Sequence, residues 1–325
     1  MVQESATDLI NAGLNPTTKE FQSLVLKRQL DAEAQMEMAA RSGHYQNPVI
    51  LLDRGLNDGR AYCSEELFDE VLFEHGLNRV TARDVYSGVI HMVSAAYGAE
   101  EFYTTENNEA RYETTIEQAR AQDDKTRLAW NGTPHLCVVP NLSGRSFDDK
   151  IGQVLRELSR VLGIPEPLEC ERKFKLLEPK GLILPPSAVG IDIVQTYLVS
   201  REPGVVERIR ARGQHDDWLF FNTLKEPRGH GLVSERDSLV SREQYDNLLI
   251  REDRSLKRIH KTRHCFTHEG HYCELDVYLG HLQGQAELEI EVHDIDDPIS
   301  LPEFLGPLEE VTGDSTYSNY AKAAA

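Results

Sequence analysis

The sequence predicts two domains of different class: an α/β domain on a parallel sheet over residues 1–164, and an antiparallel, mainly β domain over 168–311 that closes on itself as a barrel. Three observations point there. Short apolar strands alternate with helical patterns in the first half, Ile164-Pro165-Glu166-Pro167 then breaks the pattern, and from Leu168 the chain runs in period-two segments separated by Gly, Pro and Asp.

In chain order, Thr17 and Thr18 are candidate N-caps of a helix from Lys19 to about Arg41, which Gly43 ends. An apolar strand at Val49 to Leu52 runs into Asp53-Arg54-Gly55, and Ser64 opens a second helix that stops near Gly76. Val89 to Ala96 and His135 to Val139 are further buried strands, with a charged helix at Thr114 to Trp130 between them and a helix at Ser146 to Leu162 closing the domain. The second domain is expected to hold strands at 168–177, 191–199, 205–211, 218–225, 230–238, 256–266, 271–279 and 285–293, with one helix at Arg242 to Ile250. Residues 312–325, with "STYSNYAKAAA", are expected to be a disordered tail.

Composition narrows the function. The chain of 325 residues has a formal charge of −19, which repels phosphodiester backbones at long range and argues against nucleic acid as a partner. Charge is uneven, however: residues 169–294 hold 18 Lys+Arg against 22 Asp+Glu, so an anion site belongs in this nearly balanced stretch. Five cysteines form no C-x-x-C pair and are expected to be reduced thiols. No apolar run approaches the ~20 residues of a membrane span, and the reading is a cytoplasmic protein, at most peripheral to membranes. His260, His264, His268 and His271 with Cys265 and Cys273 sit on a hairpin turning at Glu269-Gly270, where their side chains would not converge on zinc.

Same-face positions of the β segments are mostly charged: Glu169, Glu171 and Lys173; Gln195 and Tyr197; Arg208 and Arg210; Thr223 and Lys225; Glu235 and Asp237; Lys261 and Arg263; Glu274 and Asp276; Glu287, Glu289 and Glu291. Any one row fits the wet face of an ordinary sheet. The opposite positions are assigned as the apolar face: Ala286, Leu288, Ile290 and Val292 in the last strand, Ile191, Ile193, Thr196 and Leu198 in the second. Charges lining an interior are costly unless paired, but they suit water, metal ions and a polyanion: Arg and Lys grip phosphate oxygens while carboxylates hold the divalent cations that bridge them.

The ordered set resembles the CYTH, or triphosphate-tunnel, family, whose opening E-x-E-x-K strand is matched by Glu169-Cys170-Glu171-Arg172-Lys173. Also similar are "VQTYL", "RIR", "TLK", "KTR", "ELD" and "ELEIE", over roughly 168–294. The resemblance implies an eight-stranded antiparallel tunnel that binds, and often hydrolyses, triphosphate or polyphosphate compounds with Mg²⁺ or Mn²⁺. Carried over by position, Glu169, Glu171 and Lys173 would be catalytic; Glu169, Glu171, Glu287, Glu289 and Glu291 supply the metal ligands, with the Gly284 spacing favouring Glu289 and Glu291. Arg208, Arg210, Lys225, Lys261 and Arg263 would bind phosphate. One departure is "GLVSERD": no arginine precedes the acidic pair of the fifth strand, and Arg236 is expected on the opposite face.

The first domain, through "LLDRGLNDGRAY", "GVIHMVSAAYGAEEFYTTENNEAR" and "VVPN", resembles the NadR-type P-loop ATPase domain fused ahead of a CYTH domain in the TRPL-translocation-defect protein family. That family implies GTP or ATP binding, phosphoinositide lipid binding and a role in membrane-protein trafficking. Asp53 and Arg54 would match the Walker-B region, and Arg111 and Arg120, with Arg127, a lid over the nucleotide. No G-x-x-x-x-G-K-[ST] string occurs, and "GLNPTTKE" at Gly13 lacks the second glycine. The first strand, P-loop and following helix are expected to be missing from 1–164, by truncation or by loss, and nucleotide binding there to be poor. The reading is therefore metal-dependent triphosphate hydrolysis, against a non-catalytic GTP- and phosphoinositide-binding regulator.

Overall fold

The computed structural model describes residues 1, 2, 4, 6–43, 48–103, 113–142, 145–163, 171–200, 202, 204–229, 232–292 and 295–325; of 227–229 and 232–235 the backbone alone is described. Its elements are α1 (Thr7–Asn11), α2 (Lys19–Ser42), α3 (Glu65–Glu74), α4 (Arg79–Asp84), β1 (Val89–Met92), α5 (Ile116–Ala129), β2 (Leu136–Val139) and α6 (Phe147–Leu162). There follow β3 (Glu171–Leu176), β4 (Val189–Leu198), β5 (Val206–Gln214), β6 (Asp217–Gly229), β7 (Leu232–Val240), α7 (Arg242–Leu249), β8 (Ile259–His268), β9 (His271–Tyr278), β10 (Ala286–Glu291), β11 (Leu308–Glu310) and α8 (Asn319–Ala324). No described helix is long and apolar enough to cross a membrane.

The chain forms two compact units, Met1–Val85 with Val93–Trp130, and Tyr86–Met92 with Asn131–Ala325. The boundary expected at 164–168 therefore moves. β2 and α6 join the second unit because the loop before β2 bonds into the large sheet: the Gly132 amide donates to Tyr272 Oη at 3.0 Å, and Tyr272 donates to the Thr133 carbonyl at 3.1 Å.

In the first unit, Thr18 caps α2 by accepting from the Phe21 amide, and Ser64 caps α3 by accepting from Leu67. α2 and α3 bury Phe21, Leu26, Phe68, Val71 and Leu72, while Trp130 is buried and donates to Asp58 at 3.3 Å. The strand expected at 49–52 is reduced to one parallel bridge, Val2 to Leu52. The only parallel sheet among the described residues is the pair β1–β2, in the second unit, with Val89 opposite Leu136. α6 ends on Gly163, whose φ of 67° is the left-handed cap that glycine adopts without strain.

The large sheet has nine strands, all neighbours antiparallel, in the order β11-β3-β10-β9-β8-β4-β5-β6-β7. It contains the eight expected strands as β3 to β10, and β11 adds a ninth; among the described residues the hydrogen-bonded order runs from β11 to β7. One face carries the apolar core: Phe174, Leu176, Phe266, Cys273, Leu275, Leu288, Ile290 and Leu305 are buried together, and α7 adds Tyr245 against Leu198, Ile209 and Phe220. The other face carries the ions. The tail expected to be disordered is structured: Ser318 caps α8 by accepting from the Ala321 amide, and Ala323 is buried against Tyr197, Ile259, Tyr278 and Leu282.

Candidate functional site

Residues directly paired across an antiparallel sheet share a face, so register shows which charged rows meet. Lys173 lies opposite Glu289, which lies opposite Glu274; Asp276 lies opposite Arg263; Arg210 opposite Gln195; Arg208 opposite Tyr197 and Thr223; and Thr223 opposite Asp237. The ionic positions of β3 to β10 therefore form one continuous face. Ile191 and Ile193, assigned above to the apolar face, correct that reading: they pair with Arg263 and Lys261 inside the ionic row. Counting in twos back from Gln195 places them there, but β4 is apolar on both faces, so grouping by apolarity misplaced them.

This face is shielded from water. Asp276 and Thr223 are fully buried, Lys261 is 3 % exposed and Glu289 6 %. Burying that many charges is tolerable only because each meets an opposite charge. Arg263 is the hub: Nε donates to Asp276 at 2.7 Å, Nη2 to Asp276 and to Glu289 at 2.7 Å each, and Nη1 to Glu274. Lys261 completes the Asp276 pair, and Lys173 Nζ sits 2.7 Å from Glu289 and 3.7 Å from Glu171. Arg263 reaches Glu289 two strands away and Arg210 reaches Asp237 two strands away, so the ion pairs cross-link the sheet beyond nearest neighbours. Arg208 lies 3.4 Å from Gln195, whose amide donates to Tyr197 at 3.0 Å.

Protonation follows the pairing. Burial would raise the Glu289 carboxyl, but Arg263 and Lys173 outweigh it and hold the pKa well below the ordinary carboxylate range. Burial opposes the Lys173 ammonium, yet Glu289 and Glu171 beside it hold its pKa above the usual lysine value. For Lys261 burial wins over Asp276, and its pKa falls.

The remaining expected residues divide. Glu291 is exposed and lies opposite the half-buried Glu171, whereas Glu287 is turned toward the C-terminal segment, 2.8 Å from Lys322. Lys225, half-buried, sits opposite Val206 at one end of the face. Glu169 and Arg111 lie outside the described residues. Arg236 pairs with Leu224, which places it on the outer face as expected, and it is exposed. In the first unit, Asp53 is exposed, Arg54 sits at a φ of 81° with Nη1 3.6 Å from Asp58, and Arg120 donates to the Ala96 carbonyl and to Glu100 at 2.7 Å each. Their partners are local and separate. Reading motifs missed Tyr278, whose Oη lies 3.1 Å from Glu287, and Lys322. Ser318 three residues before Ala321 was the one available signal, a helix cap inside the supposed tail.

The donor chemistry suits a hard divalent cation: Glu171, Glu289 and Glu291 offer oxygen only, with Glu291 directly opposite Glu171 and Glu289 two positions along β10, opposite Lys173. Among the described residues, no group of three or more His, Cys, Asp or Glu converges as a metal site would. Glu289 is instead held by Lys173 and Arg263.

No protein-family model and no curated protein matches the chain. Among solved structures it is similar to the inorganic triphosphatase NE1496, 27 % identical over 49 % of this chain and 95 % of that one, with a TM-score of 0.37. A second structure of that protein, titled hypothetical protein NE1496, gives 28 % identity over 49 % and 99 %, at the same TM-score of 0.37. A putative adenylyl cyclase from Hippeastrum, whose title reports a dominant triphosphatase activity, is 15 % identical over 38 % of this chain and 80 % of that one, with a TM-score of 0.29.

Proposed function

We propose that the ionic face of the nine-stranded sheet binds a triphosphate-containing polyanion together with Mg²⁺ or Mn²⁺ and hydrolyses it. The observation that carries this reading is the row itself, in which the buried Lys261 and Arg208 and the half-buried Lys173, Arg210 and Arg263 share one face with the buried Glu274, Asp276 and Glu289. A core held together for stability alone would favour apolar residues at those positions, since buried ion pairs seldom repay their desolvation. Arg208, Arg210, Lys261 and Arg263, with Lys225 at the end, would grip phosphate oxygens, the guanidinium forks two at a time. Glu171, Glu289 and Glu291, with Glu169, would hold the cation, which when bound supplies Lewis-acid charge neutralisation and a more acidic water.

In the proposed reaction Lys173 orients the terminal phosphoryl group, and Glu171 accepts the proton of the attacking water. The new bond is water oxygen to terminal phosphorus; the bond to the bridging oxygen breaks, releasing orthophosphate and the shortened polyphosphate. Calorimetric titration with tripolyphosphate and Mn²⁺ tests the binding half: Arg208→Met is expected to weaken it about tenfold or more, as loss of a buried charged contact should. Unchanged affinity would remove the ionic face from the proposal.

A second reading, a non-catalytic regulator that binds GTP and phosphoinositides, is favoured by one observation. On β7 the inward position opposite Thr223 is Asp237, which takes Arg210 for itself, while Arg236 points outward. Tight tripolyphosphate binding without phosphate release, together with capture on phosphoinositide vesicles, would select it. The same proposal treats residues 1–164 as the remainder of a NadR-type domain, for which weak binding of GTP or ATP is expected.

A further inference from the structure

The C-terminal segment lies against the ionic face rather than away from it. Lys322, 5 % exposed, places Nζ 2.8 and 2.9 Å from the two oxygens of Glu287 and donates to the Tyr317 carbonyl. The same ammonium is 5.3 Å from the Tyr278 ring centroid and 5.7 Å from that of Tyr317. Tyr320 meets Tyr197 edge to face at 5.2 Å, and Asn319 Oδ1 is 3.1 Å from Tyr278 Oη. A cavity of about 270 Å³ has Glu171 and Lys173 on one side and Thr312, Asp314, Ser315 and Ser318 on the other. The segment thus forms a wall of the space beside Glu171 and Lys173, the last two charged positions of the E-x-E-x-K motif.

We propose that residues 311–325 are a latch over the polyanion site, held shut by Lys322 acting as a tethered cation on Glu287. The inference rests on the function proposed above and deepens it: with the latch closed Lys322 occupies Glu287 and leaves Glu171, Glu289 and Glu291 to a cation, and Glu287 becomes a cation ligand only when the latch opens. A ligand shifts an equilibrium between closed and open states only by its difference in affinity for the two. A divalent cation has that difference, since it and Lys322 compete for the carboxylate of Glu287. A polyphosphate has it too, since its oxygens compete with Glu287 for Lys322. Either one therefore loosens the latch, and the two together open it furthest.

Hydrogen exchange of the full chain, read on peptides covering 313–325, tests this without turnover. Lys322→Met keeps the aliphatic stem but leaves Glu287 unpaired, and is expected to speed exchange there about tenfold or more with no ligand. Mn²⁺ alone is expected to speed exchange in the parent and to add nothing to Lys322→Met. Tyr320→Ala, which touches no charge, should also loosen the segment while keeping the Mn²⁺ response, and serves if Lys322→Met unfolds. Parent-like exchange in both variants, or slower exchange with Mn²⁺, overturns the latch. Absence of phosphate release alongside a Mn²⁺-responsive segment overturns the proposed hydrolysis and leaves the latch standing.

Discussion

Replacing Arg263 by methionine should cost far more than removing any surface charge. Around it three carboxylates, Glu274, Asp276 and Glu289, face three cations, Arg263, Lys261 and Lys173, so the cluster is balanced at three against three. Methionine fills the stem's volume but leaves one net negative charge among side chains only 0 to 7 % exposed. Breaking a buried pair in this way costs about 3–5 kcal/mol. The control is Arg242→Ala, whose pair with Asp246 is 71 % and 50 % exposed; it should cost no more than about 0.5 kcal/mol. Trp218 lies in β6 and Trp130 in the first unit, so urea melts followed by fluorescence in a Trp130→Phe background report on the sheet. Adding Asp276→Asn to Arg263→Met should recover part of the loss by restoring the charge count. A loss below about 1 kcal/mol for Arg263→Met would mean the cluster is solvated, as a surface pair is, and would refute the buried ionic face.

Leu288→Ala, in the apolar face with no exposure, should destabilise the sheet by about 2–5 kcal/mol in the same melts. Acid should destabilise through Glu289: its folded pKa lies below the ordinary 4.5, so the folded state holds fewer protons there, and the stabilisation, whole above about pH 4.5, fades as pH falls below it. Glu289→Gln should therefore flatten the loss of urea midpoint between pH 6 and pH 3, and an unchanged slope would contradict the pairing. Burial pushes the Cys265 thiol up to about 11 and that of Cys273 up to about 12, so at pH 8 peptide-mapped alkylation should leave both unmodified until the protein unfolds.

What the sequence showed depended on how local each signal was. Caps and helices read well, as Thr18 and Ser64 both accept the hydrogen bond their helices need, because a cap is decided within four residues. The charged rows of β3, β8, β9 and β10 were legible from alternation alone. Which rows share a face was not legible for β4, since Ile191 and Ile193 are apolar residues on the ionic side. Asp276 was expected among the family's matching residues, yet its place as partner of both Lys261 and Arg263 needed register across strands. The unit boundary and the docked α8 were hidden for the same reason. Tyr272 bonding to the loop at Gly132, and Lys322 to Glu287, are contacts between residues 140 and 35 apart in the chain, and no local pattern encodes them.

The most direct test of the central claim is phosphate release from tripolyphosphate by the full chain, with and without Mn²⁺, set against Glu289→Gln and Arg208→Met. Release that requires Mn²⁺ and falls about a hundredfold or more in both variants is the expected result, since each removes a group that would contact the reacting phosphates or their cation. Release that persists unchanged in both variants would contradict it.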